Sequence, residues 1–172
     1  NISSKIINNK NILIEEGEIF CLKKETTLHI KNSVLNINGS FNNPVKFESC
    51  SDEGGGGLII ENSEVKISNL IIEDQNAPKK DLRILYGGLN FINSNVNIDS
   101  LILKNSKAED AVNFIDSKVQ ASSISVKNAN SDAIDSDNSK IKINSLNCLK
   151  IGNDCLDLSF SLGEVNYMEA NE

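Results

Sequence analysis

The chain has no tryptophan, one methionine, one histidine and two prolines among 172 residues, and aromatic residues make up only 5% of it. So few rings leave almost no outward platforms on which sugars could stack. With a single imidazole, His29, there is no Ser-His-Asp set. Basic residues are outnumbered, 17 Lys+Arg against 24 Asp+Glu, and the net charge of −7 argues against nucleic acid or an anionic membrane as partner. No apolar run approaches the ~20 residues of a membrane span. Also missing are a 3.6-residue hydrophobic period, a phosphate loop, any helix carrying metal ligands, and the strict Leu/Asn framework of leucine-rich repeats. The four cysteines, Cys21, Cys50, Cys148 and Cys155, show neither C-x-x-C nor zinc-like spacing. They read as small buried thiols, with disulfide pairing left open.

What is present is a repeat. Leu89, Val112, Ile134 and Leu156 fall into one column with steps of 23, 22 and 22 residues (89 to 112, 112 to 134, 134 to 156). Each copy opens on a short alternating run such as Leu89-Asn90-Phe91 or Val112-Asn113-Phe114, and a serine follows at Ser94, Ser117, Ser139 and Ser161. Two more alternating runs complete the unit, for example Val96-x-Ile98 and Leu101-x-Leu103. Internal repeats mark a solenoid, and period 2 marks strands. The reading is all-β: a right-handed, single-stranded parallel β-helix of roughly seven coils with three short strands per coil. Right-handedness follows the usual chirality of parallel crossovers. Residues 1–172 form one domain, expected to be a piece of a longer protein. The chain begins with Asn, stops part-way through a coil, and shows no amphipathic capping helix, so further coils or a capping domain would be its neighbours.

The same frame runs back through Leu58-x-Ile60 and Leu28-x-Ile30, but those coils are longer, 30 residues (28 to 58) and 31 (58 to 89). The extra residues lie in two inserts at one corner. One is Ser49 to Gly57 with four consecutive glycines, the other Glu73 to Gly87 with Pro78, Lys79, Lys80, Arg83 and Tyr86. Loops along one edge of a solenoid often form its binding face, and Lys80, Arg83 and Tyr86 are candidates to contact an acidic sugar; glycine-rich loops are also simply tolerated there. His29 stands between Leu28 and Ile30 and is expected on the surface.

That corner also concentrates carboxylates. Asp110, Asp132 and Asp154 recur at steps of 22 and 22 (110 to 132, 132 to 154), and the outward ladder Asn90, Asn113, Asp135, Asp157 follows. Adjacent coils put such groups about 5 Å apart. Three readings compete. Asp and Asn in turns accept backbone N–H groups. Asp110, Asp132 and Asp154 could together hold Ca²⁺, a hard cation suited to oxygen ligands. Or the same acids could serve as an acid/base set, since inverting glycosidases hold two carboxyls roughly 6.5–9.5 Å apart.

Asn130-Ser131-Asp132-Ala133-Ile134-Asp135 followed by Gly152-Asn153-Asp154-Cys155-Leu156 resembles the Asn-Thr-Asp-Gly-(apolar)-Asp and Gly-Asp-Asp-Cys-(apolar) motifs of polygalacturonases, within the pectin-lyase-like β-helix superfamily. The resemblance implies a catalytic role for Asp132 and that of general acid for Asp154. The family's later Gly-His-Gly and Arg-x-Lys motifs are absent. Leu28-His29-Ile30 through Asn38-Gly39-Ser40 and Asn43-Pro44-Val45 resembles the opening coils of secreted and surface β-helix proteins, which implies an extracellular or cell-surface location. Two functions are expected from these signals. One is a non-catalytic segment that binds a polysaccharide, a cation or a protein partner through its acidic corner. The other is a pectin-type hydrolase or lyase using Asp132 and Asp154, with Asp110. Apart from Ca²⁺, no cofactor is expected.

Overall fold

Alternating inward apolar residues, each run ended by an Asn or Asp, dictate short strands that turn sharply and stack. The computed structural model describes residues 4–79 and 84–172. In chain order the strands are β1 (Lys5–Asn8), β2 (Asn11–Glu15), β3 (Ile19–Leu22), β4 (Thr27–Lys31), β5 (Val34–Asn38) and β6 (Val45–Ser49). Then follow β7 (Gly57–Glu61), β8 (Glu64–Glu73), β9 (Gly87–Ile92), β10 (Asn95–Ser106) and β11 (Asp110–Ile115). The last are β12 (Lys118–Ala129), β13 (Asp132–Asp137), β14 (Lys140–Ile151), β15 (Asp157–Ser159) and β16 (Leu162–Asn171). All pairings between them are parallel. One sheet has seven strands in the order β1-β4-β7-β9-β11-β13-β15, so the solenoid makes seven turns. The other runs β16-β14-β12-β10-β8-β5-β2, with β3 and β6 joining beside β8.

The columns fall as the repeat requires. Leu28, Leu58, Leu89, Val112 and Ile134 are in register and buried, and Leu156 is half-buried beyond them. Three separate short strands per coil occur only in the first two coils, β1 to β3 and β4 to β6, where the second and third runs are parted by the turn at Glu16-Gly17 and by the insertion carrying Pro44. In later coils the second and third runs fuse into one strand of up to 12 residues. The fused strand still turns: in β10, Val96, Ile98, Leu101 and Leu103 are all buried, so the alternation slips by one residue at Asp99-Ser100.

A polar spine of Ser33, Ser63, Ser94, Ser117, Ser139 and Ser161 holds the corner between the sheets. Each backbone N–H donates to the hydroxyl of the next coil's serine at 2.9–3.1 Å. Each hydroxyl in turn donates to the carbonyl two residues back. Every buried hydroxyl is thus satisfied, which burial demands. Immediately before each serine stands a residue with positive φ: Asn32, Asn62, Asn93, Asp116, Asn138 and finally Phe160. Asn and Asp visit this left-handed region readily, whereas a bulky residue there is strained by about 1–2 kcal/mol. Phe160 has φ 54° and is 95% exposed, so it gains no packing in return. Phe160→Asn is expected to stabilise the chain by about 1 kcal/mol and raise Tm by roughly 3 °C in a thermal melt; an unchanged or lower Tm would contradict the strain.

The cysteines correct the expectation of free thiols. Cys21 is bonded to Cys50 and Cys148 to Cys155, with Cα–Cα separations of 5.0 and 5.9 Å. Cys50 follows β6, whose neighbour in register is β3, so its backbone N–H bonds Leu22 and its sulfur meets Cys21 one coil away. Cys148 ends an inward row, and the tight corner after β14 swings Cys155 back onto it.

His29 also departs from expectation. Its side chain points outward yet is only 3% exposed, and its Nε2 lies 2.8 Å from Glu61 Oε2. The described flanks of the second insert explain this. They lie back over the outer face of the seven-stranded sheet, where Thr27 Oγ1 donates to the Lys79 carbonyl and Leu85 packs on Ile59 and Ile92. The two inserts stack on one another through the bridge between Gly55 and Gln75. The glycine run permits that closeness: a Cβ at Gly55 would collide with the Gln75 side chain, and one at Gly57 with Pro78.

Candidate functional site

The acidic corner is built by β11, β13 and β15. Asp110 pairs with Asp132, Asn113 with Asp135, Ile115 with Asp137, and Asp135 in turn with Asp157. Asp154 follows in the turn one coil beyond Asp132, where its carbonyl accepts the Ala133 N–H at 2.8 Å. Stacking of the repeat therefore brings Asp110, Asp132 and Asp154 into one line and sets the Asn90–Asn113–Asp135–Asp157 ladder beside it. Exposure rises along both rows. Asp110 and Asn113 are buried, Asp132 and Asp135 half-buried, Asp154 and Asp157 exposed.

The members of these rows do different things. Asp132 Oδ1 accepts the Asp154 N–H and the Asn153 Nδ2, both at 2.9 Å, and Asn153 also donates to Asp154 Oδ2 at 3.1 Å. That is turn chemistry, one carboxylate tying down the next coil's corner. Asn90 is fully buried and spends its amide hydrogens on the carbonyls of Leu58 and Gly87. It braces the wall of the solenoid. Asn113, 2% exposed, differs: its Nδ2 reaches Asp135 Oδ2 at 3.0 Å and Asp110 Oδ2 at 3.5 Å, bridging two carboxyls. Its Oδ1, like that of Asn90, is buried with no hydrogen-bond partner, but at Asn113 that oxygen belongs to an amide set between two carboxyls.

Among the described residues the charges are uncompensated: no lysine, arginine or histidine forms an ion pair with any of these aspartates, and the ion pairs found are Lys24–Glu53, His29–Glu61, Lys79–Glu25 and Lys142–Glu164. Burial and then the carboxylates of Asp135, Asp132, Glu109 and Asp137 push the Asp110 carboxyl up to about 7. Burial also leads at Asp135, reinforced by Asp137 and Asp157 and opposed by the Ser136 backbone hydrogen bond, for a value of about 6. Like charges crowded in a partly dry site favour keeping one proton or taking up a cation. No three His, Cys, Asp or Glu side chains among the described residues are gathered closely enough to hold a metal ion by themselves.

Of the insert's candidates, Lys80 and Arg83 lie outside the described residues. Tyr86 is half exposed, and its carbonyl accepts the Asp110 N–H at 3.2 Å, so the insert joins the corner through backbone. Lys79 turns away from the aspartates to pair with Glu25 at 2.6 Å. Sequence reasoning found the acids but did not distinguish Asn113 from Asn90, because equivalent positions in a repeat look alike. The signal was available: Asn113 has acids at Asp110 and Asp135, three residues back and one coil on, whereas Asn90 has Gly87 and Asn113 there. A scan against protein-family models and searches of curated proteins and of solved structures return no match for this chain.

Proposed function

We propose that the chain is a non-catalytic β-solenoid segment of an extracellular or cell-surface protein whose acidic corner takes up a divalent cation, with Ca²⁺ the best fit. The observation that carries the reading is the Asp110–Asn113–Asp135 cluster: two crowded carboxyls joined through a buried amide whose oxygen is unpartnered. Rotating that amide turns Oδ1 towards the carboxyls and assembles an all-oxygen set, which water would complete to the 6–8 ligands Ca²⁺ prefers. With no cation bound, Nδ2 facing the carboxylates is the stable orientation. Asp132 and Asp157 border the cluster and add to its negative field. The two disulfides agree with an oxidising compartment, where such bonds persist.

The test is a melt of the chain with CaCl₂ or with EDTA at pH 7.5 and at pH 5. Calcium is expected to raise Tm by several degrees at pH 7.5 and by much less at pH 5, because a protonated Asp110 cannot ligate. Asp135→Asn removes the effect. An equal Tm with and without calcium at pH 7.5 refutes the cation reading.

The hydrolase reading keeps one observation on its side. A carboxyl near neutral pKa beside ionised neighbours, as at Asp110, is what a general acid requires. Release of reducing ends from polygalacturonate, abolished by Asp154→Asn, would establish it. No release with or without Ca²⁺ removes it.

A further inference from the structure

The nine-stranded sheet carries a second set of charges on its outer face, remote from the acidic corner. Lys118 on β12 stands directly beside Lys140 on β14, and Gln120 stands beside Lys142. Asn95 and Asn97 on β10 continue the two rows on one side, Leu162 and Glu164 on β16 on the other. All eight are exposed. Together they line an open groove of about 730 Å³ that crosses four coils. Its floor is closed, because Val96, Val119 and Ile141 between the rows are buried.

The cations in this groove are unequal. Lys142 is paired with Glu164 at 2.8 Å. Lys118 and Lys140 have no anionic partner among the described residues. Two ammonium groups side by side on paired strands, about 5 Å apart, repel one another. The nearest acids are taken by other groups: Glu164 pairs with Lys142, and Glu64, at the end of the Lys118 row, accepts from the Asn95 amide. An anion bridging the pair converts that repulsion into binding.

We propose that this groove binds a carboxylated polysaccharide, with sugar carboxylates on Lys118 and Lys140 and hydroxyls on the amides of Asn97 and Gln120. A groove open at both ends and continuous across coils suits a polymer rather than a small molecule. Two adjacent ammonium groups with amides beside them match a chain that carries both carboxylates and hydroxyls. Nucleic acid fits poorly. It carries a charge about every 1.7 Å and is held by roughly 6–10 phosphate contacts, far more than two free lysines supply. An acidic peptide would need pockets for its side chains, and the closed floor offers none. This inference is independent of the cation reading, since the two sites share no residue.

The test measures binding of polygalacturonate, neutral dextran and a single-stranded oligonucleotide to the chain in EDTA, at low and at physiological salt. EDTA takes calcium, and with it the acidic corner, out of the comparison. Polygalacturonate is expected to bind at low salt and weaken as salt rises, while dextran does not bind. Lys118→Gln/Lys140→Gln is expected to weaken binding at least ten-fold with Tm unchanged or raised. The charge-matched variant Lys10→Gln/Lys23→Gln, on the first coils, is expected to bind within two-fold of the parent. Equal loss in both variants, no loss in either, or oligonucleotide binding as tight as that of polygalacturonate overturns the proposal. So does concentration-dependent self-association lost in Lys118→Gln/Lys140→Gln, which would give the groove to a second copy of the chain.

Discussion

Phe114→Ala is expected to destabilise the chain by about 3–5 kcal/mol and to lower Tm by roughly 10 °C. Phe114 is fully buried and stacks on Phe91, with ring centroids 5.4 Å apart and planes inclined by 14°. Its column holds Ile60 and Phe91 on one side, but on the other the small Ser136 and then the exposed Leu158. The ring therefore fills the width of the solenoid at the point where the column narrows. Strand pairing on both flanks fixes the coil spacing, so a cavity there cannot collapse as it might in a helical core. A solenoid is also nearly one-dimensional, each coil touching only its neighbours. Weakening the contact between β9 and β11 is therefore expected to uncouple the two halves of the chain, and urea unfolding followed by circular dichroism should broaden or split. A single transition with Tm within 2 °C of the parent would show that the stack does not hold the central coils together.

The parts of this fold visible in the sequence are those that repeat. Leu89, Val112 and Ile134 could be aligned because each coil demands the same inward position, and the Asp110–Asp132 pairing followed from the same frame. Local backbone chemistry was visible too but is easily passed over. The Asn before Ser33, Ser63 and Ser94 marks each left-handed turn, and the serine after it begins the buried spine. What could not be read is where non-equivalent segments meet. His29 is buried because an insert about 50 residues downstream crosses its face, and nothing near His29 announces that. The Cys148–Cys155 bond depends on the curvature of one corner, which a list of columns does not contain. The candidate site stands between these cases. Its acids were legible as a ladder, but the partition into turn-capping Asp132, wall-bracing Asn90 and the crowded Asp110–Asn113–Asp135 cluster depends on which side chains burial cuts off from water. Exposure grades along the row although the sequence pattern hardly changes.

That gradient makes Asp110 a group whose ionisation the fold opposes strongly. Its carboxyl rises from 3.8 to about 7 on folding, through burial first and neighbouring carboxylates second. The folded chain therefore binds more protons than the unfolded chain between about pH 4 and pH 7, and stability falls as pH rises through that window. For a dry carboxyl such a rise corresponds to about 4 kcal/mol. The cluster opens to water on the side of Asp135 and Asp157, so screening leaves about half, roughly 2 kcal/mol. Asp110→Asn keeps an acceptor for the Asn113 amide while deleting the charge. In EDTA it is expected to raise Tm by roughly 5 °C at pH 8 and to leave it unchanged near pH 4, flattening the curve between. A residual slope near pH 6 remains from Asp135. Superimposable curves of Tm against pH for the two chains would mean that the Asp110 carboxylate is not strained by its neighbours, and the cation reading would lose its physical basis with it.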